Sequence, residues 1–595
     1  MIVKMKKISL VVLDREKSES LVILRRTGVL HLTTQDGGSE ELSKLEEKKL
    51  LLERSLLLLP VVKGEQRKRA GGVKEALAIA QETARLIDEE RLRTEEVERL
   101  SKEERRLSVW GDFNPADIEY LRQKNVRLQF LDLNPEHFAA LPENLRYLTI
   151  EKTRYAVKIV VISLPGESEA DFQELTLDRM GLGELQELIK EKNSSIIKLH
   201  EELHKLAENR SFIEESIKKI DHTIEFERAR AGMGIEQSLA YLNGYVPAGK
   251  VEKLKSTAAE EGWALLIEEP GEEDQVPTLI KNPPWIRIIK PVFDFLGTVP
   301  GYREFDSSFW FLLAFSIFFA MLIGDAGYGI FFLVMTLLAR IKMRKALPEP
   351  FFLMFVLSFS TIAWGALTGT WFGSEYFAQS RFLSWMVIPS ISSFGADPEF
   401  IMLICFIIGT VHLSIAHIIN FIRNLPKLKA FAELGWLSLV WGMYFFIRFI
   451  VLQLPLNDIG LWLVGGGLFL VVLFAEQKGS FLKGLAMGLA NLPLKLLDSI
   501  SAFSDIISYV RLFAVGLATV KVAESFNGMA LDIGLGLPGG LAAALILFFG
   551  HLLNIAMGAL SVIVHGVRLN MLEFSSHLGM EWTGVSYKPF NDDIG

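Results

Sequence analysis

The chain has 595 residues, 63 Lys and Arg against 71 Asp and Glu, and half its residues are hydrophobic. Its mean hydropathy of +0.29 hides two halves: residues 306–595 hold 16 basic and 17 acidic side chains, which leaves 47 and 54 for residues 1–305. A charged half joined to an apolar half excludes a simple soluble domain, the modest net charge of −8 argues against a nucleic-acid partner, and the lone Cys405 excludes a disulfide framework or a cysteine metal cluster.

The N-terminus offers only Ile8 to Leu13 as an apolar stretch, too short for a signal peptide, so the charged half is expected in the cytoplasm. Lys4 to Leu13 reads as a strand, residues 15–27 as a helix that Gly28 can end, and Val29 to Thr33 as a second strand. This is the first part of a proximal α/β lobe, residues 1–38. Residues 39–107 are charged and helix-forming, the outgoing strand of an arm. Val126 to Leu131 and Tyr155 to Ile162 are strand-like within a distal α/β lobe, residues 108–179.

The arm returns over residues 180–232. Ile196, Leu199, Leu203, Leu206, Ile213, Ile217, Ile220 and Ile224 recur at steps of three and four, with Arg210 in the missed core position, so the spacing predicts a coiled-coil seam over four heptads. A dimerisation coiled coil has the same periodicity. Two helical stretches around one lobe favour an antiparallel hairpin instead, with a reach of roughly 75 Å for fifty residues. A strand from Leu239 to Val246 and a helix from Val251 to Glu260 complete the proximal lobe within residues 233–305.

Gly244-Tyr-Val-Pro-Ala-Gly249-Lys250 has the glycine and lysine spacing of a phosphate-binding loop. Val251 stands where a hydroxyl must reach magnesium, and Pro247 removes a backbone N–H, so no nucleotide is expected on this chain. His200 and His204, four apart on the arm, read as exposed surface. His412 and His417 lie in an apolar run without carboxylate company. No metal site, cofactor site or enzymatic centre is expected.

Residues 306–595 read as a membrane domain. A spanning helix needs roughly 20 apolar residues. Ser308 to Ala339 is longer than one comfortable span and is broken by Gly324-Asp-Ala-Gly-Tyr-Gly329, so two short helices should meet there. Runs near 350–372, 400–422, 431–453, 459–475, 503–527 and 539–566 bring the expected count to eight transmembrane helices. Arg340, Lys342, Arg344 and Lys345 follow the second run, Arg423, Lys427 and Lys429 the fourth, and Lys478, Lys483 and Lys495 the sixth; the alternate loops hold only Arg381. This alternation places both termini in the cytoplasm. Gly534-Leu-Gly536-Leu-Pro-Gly539 spells a dinucleotide fingerprint but follows no strand, and reads as an external loop.

Ionisable residues inside a bilayer are functional candidates by default. Arg511 sits in Ser508-Tyr-Val-Arg511-Leu, ahead of the apolar run Leu512 to Val520, with small Ala514, Gly516 and Ala518 along the helix. Arg568 lies in His565-Gly-Val-Arg568-Leu. The alternative for Arg511 is a snorkelling anchor or a partner of Asp505 or Glu524; Arg568 lies near the end of its run and could snorkel, and Lys521 could simply pair with Glu524.

The chain resembles the membrane subunit of the rotary vacuolar and archaeal-type ATPases, subunit a in eukaryotes and subunit I in prokaryotes. The likeness runs nearly end to end through Val3-Lys-Met-Lys-Lys7, Gly28-Val-Leu-His31, Gly244-Tyr-Val-Pro247, Gly324-Asp-Ala-Gly-Tyr-Gly329, Gly369-Thr-Trp-Phe-Gly373 and the two arginine motifs. It implies that Arg511 and Arg568 are the ion-translocating arginines facing the rotor-ring carboxylates. Many relatives carry a histidine where this chain has Thr519 and a glutamate where it has Gly558, so the ion path must use other groups. Ser508, Lys521, Glu524, His551, Asn554, His565 and Glu573 are the candidates to line it, with Glu524, His565 and Glu573 ranked first.

The resemblance implies a stator subunit, non-catalytic for ATP, that couples H⁺ or Na⁺ translocation to ATP hydrolysis or synthesis. Its implied partners are a proteolipid rotor ring of c/K-type subunits, peripheral stalk heterodimers, a central stalk subunit capping the ring, and membrane lipid. The implied setting is a prokaryotic plasma membrane. Two other classes compete: a stand-alone secondary ion transporter, which predicts related repeats that are not visible here, and a membrane scaffold with a coiled-coil arm.

Overall fold

The computed structural model describes every residue except 34–37, 62–70, 143–144, 166–171, 173–179, 379, 382, 396, 478–479, 534–536 and 593–595. Lys478 and the Gly534 to Gly536 part of the expected external loop lie outside the described residues. Residues 10–28, 32–242 and 591–595 form one compact unit, and residues 1–9, 29–31 and 243–590 form another.

Strand β1 (Met5–Leu13) alternates buried and partly exposed positions. Helix α1 (Lys17–Thr27) stops because Gly28 adopts φ +61°, a left-handed conformation that costs glycine little. After β2 (His31–Leu32) comes α2 (Glu40–Leu58), whose first turn is capped by Ser39 Oγ accepting the Leu42 N–H at 3.1 Å. Helix α3 (Val73–Ser108) runs 36 residues, roughly 54 Å at 1.5 Å each. Then α4 (Pro115–Gln123), β3 (Arg127–Leu133), α5 (Pro135–Ala139), β4 (Tyr147–Lys152) and β5 (Val157–Ser163) follow, with an antiparallel sheet in the order β3-β5-β4. Strand β4 was not expected. It is a short edge strand whose first three residues are exposed; Leu148 and Ile150 alternate with Thr149 and Glu151, and Ile150 packs toward Trp110 and Phe130.

The expected four-heptad seam is not one continuous helix. Helix α6 (Leu182–Ala207) ends and α7 (Arg210–Ala231) restarts three residues later. Leu199 and Leu203 of α6 pack against Leu86 of α3, whereas Ile213 and Ile220 of α7 share a core with Leu42 and Leu52 of α2. The break falls at the handover from one partner helix to the other. Arg210, the residue in the missed core position, donates from Nη1 to the Leu56 and Leu59 carbonyls at 2.7 and 3.1 Å. It satisfies carbonyls at the end of α2 that no intrahelical N–H reaches.

Strands β6 (Gly234–Glu236) and β7 (Leu239–Pro247), helix α8 (Val251–Glu260) and strand β8 (Ala264–Glu268) follow; a five-stranded sheet has the order β2-β7-β1-β8, with β6 on β7. A Cβ on Gly244 would lie 2.4 Å from the His31 carbonyl oxygen, so only glycine lets β2 approach β7 there. The segment with phosphate-loop spacing is the end of β7, a 3₁₀ turn and the start of α8. Lys7 pairs with Asp274 at 2.8 Å, and that cation together with the Gly271 N–H holds the Asp274 carboxyl below its usual range.

Strand β9 (Pro277–Thr278), helices α9 (Pro284–Arg287) and α10 (Lys290–Leu296), and then α11 (Ser308–Ile323) and α12 (Ala326–Lys342) lead into the apolar half. The last two meet at Gly324-Asp325 with a bend of 119°, a broken span or a re-entrant loop. The remaining helices are α13 (Glu349–Thr368), the short α14 (Glu375–Ala378), α15 (Pro398–Asn424), α16 (Ala430–Ile450), α17 (Asp458–Phe474), α18 (Phe481–Ala490), α19 (Leu492–Ser508), α20 (Val510–Ile533), α21 (Leu537–Ser561) and α22 (Ser575–Leu578). A terminal strand β10 (Val585–Ser586) pairs in parallel with β9.

Among the described residues, five helical stretches are long and apolar enough to cross a membrane, or six with the α11–α12 pair as one span. The apolar run expected to cross at 459–475 forms α17, 17 residues and so somewhat short of a full span. Close packing relies on small residues. A Cβ on Gly516 would lie 2.5 Å from the Met321 carbonyl oxygen, whereas Ala514 and Ala518, expected on the same approach face, are exposed.

Candidate functional site in the last two long helices

The two arginines singled out from sequence meet at one carboxylate. Arg511 Nη2 donates to Glu573 Oε1 at 2.6 Å, and its Nε donates to the Ser508 carbonyl at 2.9 Å. Arg568 Nε lies 3.5 Å from the same Glu573 oxygen. The Glu573 side chain is 3% exposed, Arg511 21% and Arg568 52%. Two cations therefore share one buried anion, and the group carries a net positive charge that reaches the surface through Arg568. Val562–Gly566 and Leu569–Phe574 wind as π-helix on either side of Arg568, an arrangement that re-aims side chains within a helix.

Beside this group lies a polar cavity of about 620 Å³ whose lining includes His417, Glu433, Asp498, Asp505 and His577. His577 follows Glu573 by one turn, roughly 6 Å along the helix. His577 Nε2 stands 3.1 Å from Asp505 Oδ2, its Nδ1 2.9 Å from His417 Nε2, and His417 Nδ1 2.9 Å from Glu433 Oε2. His417 thus has the carboxylate neighbour that the sequence reading denied it. Glu433 is on the next helix, and no spacing within one helix reveals such a pair. Arg423, Lys429 and Lys495 also line this cavity.

A second polar group lies farther along α20. Asn554 Nδ2 donates to the Thr519 carbonyl at 2.7 Å and to Tyr328 Oη at 2.9 Å. Tyr328 Oη is 2.8 Å from His551 Nδ1, His551 Nε2 is 3.2 Å from Asn527 Oδ1, and Asn527 Nδ2 donates to the Phe372 carbonyl at 2.7 Å. From Thr519 to Asn527 this chain climbs roughly 12 Å along the helix axis, beginning about 12 Å beyond Arg511. Asp325, 2% exposed, fixes its surroundings. One carboxylate oxygen accepts the N–H groups of Gly327, Tyr328 and Phe372 at 2.7, 3.2 and 2.9 Å, and the other accepts Gly373 at 2.8 Å. It caps α12 and ties the Gly324–Gly329 segment to the Gly369–Gly373 segment.

Of the nine residues chosen from sequence, Arg511, Arg568, Glu573 and the Ser508 carbonyl come together, and His551 and Asn554 join the second group. Lys521 pairs with Glu524 at 2.7 Å on the surface, as its simpler reading anticipated, and neither joins either group. Glu573, rather than Asp505 or Glu524, is the partner of Arg511. His565 has a buried Nδ1 with no hydrogen bond among the described residues. Sequence reading missed Tyr328, Asp325, Asn527 and His577 as site members and named Asp505 only as a possible partner of Arg511. Tyr328 and Asp325 had a usable signal, since both belong to the quoted glycine–aspartate motif.

A Cβ on Gly558 would already come within 2.9 Å of Ile323 Cδ1, so a longer side chain there must displace that isoleucine. Asn554 lies one turn earlier on the same face.

Comparison with known proteins gives a consistent picture. The chain is 36% identical over 99% of its length, and 99% of the relative's, to the V-type ATP synthase subunit I of Borreliella burgdorferi. It is 32% identical over the whole of both chains to V-type ATP synthase subunit I 1 of Treponema pallidum. An A-type ATP synthase subunit I of Methanocaldococcus jannaschii matches at 26% identity over 81% of this chain and 71% of its own. The crystallised cytoplasmic N-terminal domain of a subunit I, described as a homolog of subunit a of V-ATPase, overlaps 44% of this chain and 99% of its own at 17% identity and a TM-score of 0.23, too loosely to fix the fold. No protein-family model matches.

Proposed function

Because the chain belongs to the V-type and A-type ATP synthase subunit I family, we propose that it is the stator subunit that carries ions past the rotor ring. Membership of a multi-subunit rotary ATPase brings rotor and stalk partners in general; the ring of proteolipid subunits, the peripheral stalk heterodimers and the ring-capping central stalk subunit are the specific partners we assign. The observation that carries the reading is the Arg511–Glu573–Arg568 group between two separate polar regions.

A guanidinium stays protonated at any physiological pH, so it can stabilise a ring carboxylate in its ionised form and make it release its ion. The partial exposure of Arg568 and the exposed Ala514 and Ala518 give a ring subunit a surface to approach. On this reading the histidine-lined cavity is the cytoplasmic half-channel. It is lined by Arg423, Lys429 and Lys495, residues of the basic loops that the positive-inside rule assigns to the cytoplasm. The Thr519–Asn554–Tyr328–His551–Asn527 chain lines the external half-channel. The positive group between them blocks a leak from one to the other. Moving one elementary charge through the membrane is worth ~2.3 kcal/mol per 100 mV, so several ions must pass for each ATP.

Eight crossings fit this assignment if α11 and α12 each cross and α17 spans with local thinning. The helices α2, α3, α6 and α7 then form the arm between two α/β lobes that anchors the peripheral stalks, and both termini lie in the cytoplasm. The test is ATP-driven ion uptake into inverted membrane vesicles, comparing wild type with Arg511→Ala at matched complex assembly. Per assembled complex, uptake should vanish. Unchanged uptake would remove Arg511 from the ion path.

A further inference from the structure

A second recess lies away from the ion path, where the segment between β9 and α11 meets the C-terminal residues. A cavity of about 250 Å³ is lined there by Thr278, Lys290, Phe293, Asp294, Thr298 and Ser308, among others. Its volume falls a little below the ~300–1,000 Å³ of a drug-sized site, which suits a headgroup better than a whole lipid. Phe293 is buried and makes part of the wall apolar. Two threonines of the lining have hydroxyls with no hydrogen-bond partner among the described residues: Thr278 Oγ1, on a residue 3% exposed, and Thr298 Oγ1. A buried hydroxyl left unpaired is unfavourable, so their presence asks for a polar occupant.

The recess sits at the level where apolar helices begin. Ser308 is the first residue of α11, and Arg287, also in the lining, pairs at 3.0 Å with Glu349, the first residue of α13. Residues close in the chain to its lining carry exposed aromatic side chains: Trp285 is 59% exposed, Phe295 74% and Phe309 37%, with the Trp285 and Phe309 rings 5.7 Å apart. Exposed aromatics beside the ends of apolar helices are the signature of the membrane–water interface. Lys290 and Asp294 lie one turn apart on α10, both exposed, and neither has an ion-pair partner among the described residues. The recess therefore offers, besides the paired Arg287, one cation and one anion without ion-pair partners and unpaired hydroxyl oxygens among its lining.

We propose that this recess binds the headgroup of a single membrane phospholipid of the phosphatidylethanolamine type. Lys290 takes the phosphate diester. Asp294 and a threonine hydroxyl accept N–H groups of the ammonium, and the acyl chains pass Trp285 and Phe295 into the bilayer. A choline headgroup has no N–H to donate, and a glycerol headgroup leaves Asp294 without a cation, so both should bind less well. This proposal does not depend on the ion-path reading.

The test uses the intact complex, exchanged into phosphatidylcholine vesicles doped with either phosphatidylethanolamine or phosphatidylglycerol, repurified, and its retained lipid counted. Wild type should retain about one phosphatidylethanolamine per chain more than either Lys290→Gln or Asp294→Asn, with no such difference for the other two lipids. Both substitutions change exposed side chains and should leave complex assembly at the wild-type level. Equal retention in all three chains, or equal retention of the three lipids by wild type, overturns the proposal. A final arm adds soluble glycerophosphoethanolamine: if it displaces the lipid completely, the site recognises the free diester and the membrane part of the proposal falls.

Discussion

Arg511 and Glu573 form one ion pair, and removing one member strands the other. In Arg511→Gln the Glu573 carboxylate, 3% exposed, keeps only Arg568, whose Nε is 3.5 Å away on a half-exposed side chain. Breaking a buried pair typically costs about 3–5 kcal/mol. The remaining Arg568 and the partial exposure of Arg511 reduce this to about 2–3 kcal/mol, or roughly 30- to 150-fold in an assembly equilibrium at 1.4 kcal/mol per decade. Arg511→Gln alone should therefore lower both complex yield and ion uptake. The double variant Arg511→Gln/Glu573→Gln buries no stranded charge. It should recover assembly, with a coupling of about 2 kcal/mol between the two positions, yet still take up no ions because no guanidinium stands at position 511. The assay is ATP-driven uptake into inverted vesicles for the four genotypes, normalised to complex measured by immunoblot. If uptake returns together with assembly in the double variant, Arg511 is merely the structural partner of Glu573, and the ion-path reasoning is refuted.

Three further outcomes are expected. Asp325→Asn puts an amide where four backbone N–H groups now converge on a carboxylate; it should cost about 1–3 kcal/mol and lower the melting temperature of the complex, and an unchanged melting temperature would show that the two glycine-rich segments do not need this tie. Arg210→Ala exposes the Leu56 and Leu59 carbonyls to a missing donor and should destabilise the packing of α7 on α2 by about 1–3 kcal/mol, read as faster amide exchange confined to α2 and α7. Burial holds the His31 imidazole below its ordinary 6.5, with the Lys588 backbone beside its Nδ1. A lowered pKa means the folded state prefers the neutral ring, so this contribution is present above about pH 6.5 and is lost as pH falls through the lowered value. Wild type should lose more thermal stability than His31→Gln between pH 7.5 and 5.5, and parallel losses would contradict the assignment.

Much of the local structure was legible because local causes produce it. The helix from Val251 to Glu260 appears with the expected bounds, Gly28 ends α1, and the break at Gly324-Asp325 separates two short helices. Edge strand β4 was missed although Leu148 and Ile150 alternate with Thr149 and Glu151, a run of only six residues that stays mostly exposed. The seam from Ile196 to Ile224 was legible as a period and misleading as an object. The same repeat serves two partner helices, and the period says nothing of where one partner gives way to the next. Arg210 marked the place, but its role as donor to the end of α2 depends on a helix more than 150 residues earlier.

The candidate site divides along the same line. A lone ionisable residue in an apolar run announces itself, which is why Arg511 and Arg568 could be named from sequence. Their shared partner was not named: Asp505 and Glu524 stood as the expected partners of Arg511, and Glu573 only as path lining, because Arg511 and Glu573 are 62 residues apart. The separation is 160 residues for His417 and His577 and 223 for Tyr328 and His551. The departures from the family pattern also find a physical setting. At Gly558 a Cβ would press on Ile323 at 2.9 Å, and one turn earlier Asn554, 1% exposed, reaches both Tyr328 and the Thr519 carbonyl. On the proposed path the polar contact here is a neutral amide bound to a tyrosine, one helical turn before Gly558. A neutral amide does not attract a cation as a carboxylate does, so external ion entry in this chain would depend on the hydrogen-bonded Tyr328–His551–Asn527 chain. That dependence makes His551 the residue whose replacement should separate slow uptake from failed assembly on the external side.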